Sequence, residues 1–253
     1  MKKIIVMGFV VGLAGCGGGG GGGGSSATTP PPATVSPAGL WDGTTSTGRE
    51  ITGIVLDTGE YWVLYSSVGN SSVVGGFAQG NGTSTGNQFN SSNFRDFNFE
   101  GSGVLAGTSA ATVVFQQSFN GKTTYDATPS QQSTYTTTFN ADYNGTPSLA
   151  AIAGTYTGEI DGAAGAEFTT VSINSAGTVA ASGSSGCNST GTVKPHATGN
   201  VYDVLITFGP SPCALPNQSV SGVGYYSAVD KGLVVGLIDS GRNIGAVFIG
   251  AKP

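Results

Sequence analysis

Beyond residue 38, apolar and polar residues alternate with a period of two over almost the whole chain, and that alternation limits the possible folds more than any other feature. Tyr135, Thr137 and Phe139 recur at every second position. So do Ile152, Gly154, Tyr156, Gly158 and Ile160, and again Tyr202, Val204, Ile206 and Phe208. A strand turns successive side chains to opposite faces, so this spacing describes strands with one buried and one wet face, and no long run at helical spacing competes with it. Between such runs stand Asp57-Thr58-Gly59, Asn174-Ser175-Ala176-Gly177, Asp230-Lys231-Gly232 and Asp239-Ser240-Gly241. Short Asp- or Asn-led segments with glycine supply the left-handed backbone positions of tight hairpins. The expectation is an all-β chain, an antiparallel meander from end to end.

The meander repeats itself. Gly39-Leu40-Trp41-Asp42-Gly43, with a hairpin about Gly59, matches Gly154-Thr155-Tyr156-Thr157-Gly158, with a hairpin about Gly177. A Thr/Pro junction at Gly145-Thr146-Pro147 lies between them, which predicts two tandem β units over residues 38–146 and 147–253. Eight strands fit into residues 151–250, as in a small up-and-down barrel whose closure removes the exposed sheet edges. The Gly-x-Trp and Gly-x-Tyr first strands resemble the start of lipocalin and avidin-type barrels. In lipocalins a late arginine packs over that first-strand tryptophan, and the resemblance implies this place for Arg242, over Tyr156. Trp41 and Tyr156 are then expected as plugs at a barrel base rather than as ligand contacts.

The N-terminus has the parts of an export signal: Lys2 and Lys3, an apolar core from Ile4 to Leu13, then small residues. The 12 residues from Ile4 to Gly15 fall short of the roughly 20 a membrane-spanning helix needs. Leu13-Ala14-Gly15-Cys16 resembles the lipobox of bacterial lipoproteins. The resemblance implies that residues 1–15 are removed as a signal peptide and that Cys16 carries diacylglycerol on sulfur and an acyl chain such as palmitate on its new amine. Several chains are needed, because one acyl chain holds a protein to a membrane only marginally. Gly17 stands where aspartate would direct inner-membrane retention. The implied location is the outer membrane of a Gram-negative bacterium, on its periplasmic face or at the cell surface. Residues 16–37, with eight glycines from Gly17 to Gly24 and then Pro30-Pro31-Pro32, read as a disordered tether. A phosphate-cradling loop is excluded, since neither a preceding strand nor a following Lys-Ser/Thr and helix is in place. The layout of signal, tether and small β-domains also resembles surface lipoproteins such as factor H-binding and transferrin-binding lipoproteins, which implies architecture only.

Only 9% of residues are charged, against about 25% in an average domain, and the net charge is −5. That leaves no electrostatic footprint for nucleic acid. Twelve Phe, nine Tyr and two Trp argue against disorder of the main body. With Cys16 lipidated, Cys187 and Cys213 remain as a pair in an oxidising compartment, and a disulfide is expected between them. His196 is the chain's one histidine, so a zinc set of Cys and His is not available, and no metal or cofactor is expected.

No Gly-x-Ser-x-Gly elbow accompanies His196, which disfavours Ser-His-Asp chemistry. Asp57-Thr58-Gly59 and Asp239-Ser240-Gly241 are similar to the paired motifs of aspartic proteases, yet they occupy unmatched places in the two units and read as hairpin turns. No catalytic residue is assigned, and the chain is not read as an enzyme. The leading function is a non-enzymatic outer-membrane lipoprotein that binds a macromolecule or organises the envelope. One alternative is a carrier of a small apolar ligand in a barrel cavity, and another is an enzyme with a site scattered over loops. Whether inward-facing aromatics fill a barrel or line a hollow separates the first two.

Overall fold

The computed structural model describes residues 33–101 and 103–253. Cys16 and most of the expected tether lie outside the described residues. The first half of the described chain forms β1 (Gly39–Thr45), β2 (Glu50–Val55), β3 (Glu60–Ser67), β4 (Asn70–Asn81), β5 (Thr83–Thr85), β6 (Gln88–Asn98), β7 (Gly103–Val114), β8 (Ser118–Tyr125) and β9 (Gln132–Asn140). These run β4-β3-β2-β1-β9-β8-β7-β6, and β6 returns to β4 through pairs from Gly76↔Asn98 to Gln79↔Arg95. The result is a closed ring of eight long antiparallel strands, with short β5 paired to the other end of β6.

A 3-10 turn at Ala141–Asn144 and a one-turn helix α1 (Leu149–Ile152) lead into the second barrel. Its strands are β10 (Gly154–Gly162), β11 (Gly165–Ile173), β12 (Thr178–Gly183), β13 (Asn188–Pro195), β14 (Tyr202–Phe208), β15 (Ser219–Ser227), β16 (Gly232–Ile238) and β17 (Gly245–Ala251), closed by pairing of β10 with β17. The all-β, up-and-down architecture is the one the alternation predicts. Ile152 is the exception: it belongs to α1, so the strand pattern begins only at Gly154. The two closures share a device. A methyl group on Gly43 of β1 would collide with the Thr136 carbonyl of β9, and one on Gly158 of β10 with the Ile249 carbonyl of β17. Each first strand can therefore lie against its last strand only with glycine there.

Two of the four glycine-bearing turns hold the left-handed residue where expected, at Gly59 (φ +83°) and Gly177 (φ +80°). In the other two the position moves to a neighbour, Lys231 (φ 53°) and Arg242 (φ 54°), so Gly232 and Gly241 are not the residues that bend the chain. Three backbone N–H groups, of Gly241, Asn243 and Ile244, donate to the Asp239 carboxylate at 2.7–3.0 Å and hold the β16–β17 loop around it.

The interiors differ. The second barrel is filled by aliphatic side chains standing off the wall, among them Val171, Ile173, Val204, Ile206, Val235 and Leu237, over Tyr156 and Tyr202. In the first, tyrosines lie flat on the glycine opposite them. Tyr61 covers its partner Gly80 and Tyr65 covers Gly76, so closely that a methyl on either glycine would strike the ring, and the Tyr135 hydroxyl reaches over Gly121. Rings laid along the wall leave the axis open. The barrels also share a core. Trp62, Phe77 and Phe97 on the outside of the first stack at 5.8 and 4.7 Å, and Gly236 of β16 and Gly245 of β17 receive these rings on the outside of the second. Val223, Ile238 and Val247 pack into the same cluster. Cys187 and Cys213 are bonded (S–S 2.02 Å, Cα–Cα 4.5 Å), tying the turn before β13 to the β14–β15 loop.

Candidate functional site

The first barrel encloses a cavity of about 670 Å³, whereas the second keeps only about 70 Å³. Small-molecule sites run from about 300 to 1,000 Å³, so only the first interior has ligand size. Its floor is Trp41, Val55, Ala78, Phe89 and Phe119. Trp41 is 2% exposed, with its indole N–H donated to the Pro37 carbonyl at 3.1 Å, so the expected base plug is real and is also the bottom of a container. The side wall is aromatic: Tyr61, Tyr65, Phe94, Tyr125 and Tyr135.

The mouth lies where the β1–β2, β3–β4, β6–β7 and β8–β9 connections gather, with Thr47, Val68, Glu100 and Thr128 among its residues. Arg49 closes part of it. Its guanidinium donates to Glu100 at 2.6 Å and to the Ser66 carbonyl at 2.8 Å, and lies 5.1 Å from the Tyr65 ring centre. Burial acts on Glu100 less than the Arg49 hydrogen bond does, and its carboxyl is held below the usual range.

Deeper in the wall sits Asp96, 2% exposed. Its two oxygens accept from Tyr65 Oη at 2.6 Å and Tyr125 Oη at 2.8 Å. Burial pushes its carboxyl above the ordinary value against those two hydrogen bonds, and raises both phenols well above theirs, so the tyrosines remain O–H donors. Sequence reading missed Asp96 for a physical reason. Counted by twos from inward Phe89, Arg95 faces the lumen and Asp96 faces outward, but an irregularity between Ser91 and Phe94 inserts a step and reverses the parity. The remaining signal was a carboxylate set between Phe94 and Phe97.

The residues singled out by motif lie elsewhere. Asp57 and Asp239 share no hydrogen bond: Asp239 is held by its own loop, while Asp57 reaches across to the second barrel. Asp57 accepts from Thr198 Oγ1 at 2.7 Å and meets His196 Nε2 at 3.3 Å, and His196 Nδ1 meets Asp203 at 2.7 Å. A purely local turn role for Asp57 is thereby corrected; its side chain latches one barrel to the other. Arg242 does not cover Tyr156. Its Nη2 donates to the Gln79 and Asn93 carbonyls of the first barrel, and the cation beside the Tyr156 ring is Lys252, 5.2 Å from its centre.

The fold and site thus define a tandem-barrel protein with one solid barrel and one hollow one. No family model matches this chain, and no curated protein matches it. Among solved structures it is similar to isotype 1 Transferrin binding protein B from serogroup B Neisseria meningitidis, with TM-score 0.30 and 9% identity over 81% of this chain and 65% of that one. It is also similar to a point mutant of the vaccine antigen Transferrin Binding Protein B from Haemophilus parasuis, with TM-score 0.26 and 7% identity over 87% and 77% of the two chains. This chain therefore spans slightly less than two thirds of the first of those structures. Likenesses at this level carry no weight for function. Among the described residues no helix is long and apolar enough to cross a membrane.

Proposed function

We propose that this protein is a lipid-anchored lipoprotein of the Gram-negative outer membrane that binds a small molecule with a largely apolar body inside its first barrel, without acting on it chemically. The supporting observation is the contrast between a lumen of about 670 Å³ and one of about 70 Å³ in two barrels of the same strand number. A solid barrel fused to a hollow one, with aromatic rings spread along the hollow wall, fits a container and its support better than a flat docking face. The small-molecule reading therefore moves ahead of the macromolecular one. In this layout residues 1–15 are the removed signal, Cys16 the lipid attachment point, 16–37 the tether, 38–146 the binding unit and 147–253 the supporting unit.

Ala78 lies on the cavity floor between two inward glycines of β4, so Ala78→Trp fills the lumen. Purified protein titrated with the neutral, environment-sensitive dye Nile red should bind it with a blue-shifted emission. Ala78→Trp should weaken that binding by about tenfold or more, a difference of about 1.4 kcal/mol, while far-ultraviolet dichroism stays unchanged. Equal binding by a folded Ala78→Trp variant would place the dye outside the barrel and overturn the reading.

A further inference from the structure

We propose that the first barrel is selective for an organic cation: an amine on an aromatic or aliphatic body, its ammonium group seated on the Asp96 carboxylate between Tyr65 and Tyr125. This deepens the cavity reading above and rests on it.

The cavity-lining residues include one cationic side chain, Arg49, and two acidic ones, Asp96 and Glu100. Arg49 is committed to Glu100 at 2.6 Å, at the mouth. Asp96 is then left inside with two hydroxyl partners and no salt bridge among the described residues, Arg49 acting on it only as a more distant charge. A carboxylate offers about four acceptor directions, and two phenols occupy two of them. A buried carboxylate without a directly bonded counter-cation is expensive, and burial accordingly raises the affinity of Asp96 for a proton. A ligand ammonium brings a full positive charge to the carboxylate and satisfies the remaining acceptor positions.

The wall agrees. Tyr61, Tyr65, Phe94, Tyr125 and Tyr135 line the lumen, and aromatic rings attract cations over their faces and pack apolar bodies equally well. The Arg49 guanidinium over the Tyr65 ring already shows one of these faces accepting a cation. An anionic ligand meets the reverse arrangement: a buried acid, and an arginine already neutralised.

The test uses three ligands that share one body: naphthylethylamine, naphthylethanol and naphthylpropionic acid, titrated calorimetrically into the intact protein. The amine should bind wild type about tenfold or more tighter than the alcohol, the order expected for one charge-assisted hydrogen bond, and the acid should bind weakest. Asp96→Asn should remove the amine's advantage over the alcohol. Equal affinities of amine and alcohol for wild type would overturn the cation proposal while leaving the container reading intact, and so would an advantage that persists in a folded Asp96→Asn variant. If none of the three binds and Nile red also fails, the container reading itself falls. The wild-type series decides the matter even if Asp96→Asn does not fold.

Discussion

His196 shows at single-residue scale how a side chain with no partner in its own sequence neighbourhood acquires two in the fold. Desolvation lowers its affinity for a proton, but hydrogen bonds and charge from Asp203 and Asp57 outweigh that and raise its pKa above 6.5. On Asp57 the Thr198 hydrogen bond acts most strongly, burial opposes it, the His196 hydrogen bond and charge add to it, and its pKa falls below 3.8. Lys194, 3.7 Å from Asp203, and Tyr143, which feels the charge of Asp57, are the other ionisable groups around this latch. A raised histidine stabilises the fold fully below its unfolded value and stops doing so as pH rises through its folded value. A depressed aspartate stabilises above its unfolded value and fails as pH falls through its folded one. The latch is therefore strongest between about pH 4 and about pH 6.5. Thermal melts of wild type and His196→Gln should differ most near pH 5.5 and converge toward pH 8; a gap that widens with rising pH would contradict this assignment.

At the scale of elements, β3, β4 and β6 of one barrel meet β16 and β17 of the other through rings resting on glycine. The Trp62, Phe77 and Phe97 stack needs the bare backbone of Gly236 and Gly245, because a side chain at either position would occupy ring volume. Gly236 sits in β16 with pairing partners on both sides, and its φ is not in the left-handed region, so its requirement comes from packing rather than backbone freedom. Gly236→Val should lower stability by about 1–3 kcal/mol through overpacking and shift Trp62 emission to the red, while the Cys187–Cys213 bond and the strand signal persist. A Val variant that melts like wild type with unchanged tryptophan emission would show that the barrels do not press together here. Glycines in these strands read, in sequence, simply as weak points of a sheet. That Gly80 and Gly76 instead receive tyrosine rings, and Gly121 a tyrosine hydroxyl, depended on the register of β3 with β4 and of β8 with β9.

For the whole molecule, the proposed anchor separates the barrels' behaviour from the chain's location. If Cys16 carries acyl chains, the mature protein should sediment with membranes and be released by detergent, while Cys16→Ser should appear unprocessed or soluble; mass spectrometry of the mature N-terminus showing an unmodified cysteine would end that proposal. Much of the architecture was legible beforehand. Period-two runs divided by Asp/Asn-Gly turns leave a chain no good alternative to antiparallel strands, and the matched openings at Trp41 and Tyr156 mark where each barrel starts. Parity pointed to the Cys187–Cys213 pair. The cavity was not legible, because alternation states which side chains face inward without stating whether they meet. Aliphatic groups projecting from the wall fill one barrel, and tyrosines lying across glycines of neighbouring strands keep the other open, a difference that exists only once strands are in register. The parity reversal between Ser91 and Phe94, which carries Asp96 from the outer face into the lumen, is of the same kind. Local sequence determined strands, turns and their order because those depend on near neighbours; the cavity, its buried carboxylate and the latch from Asp57 to His196 depend on residues brought together from distant strands, and only the tertiary structure decided them.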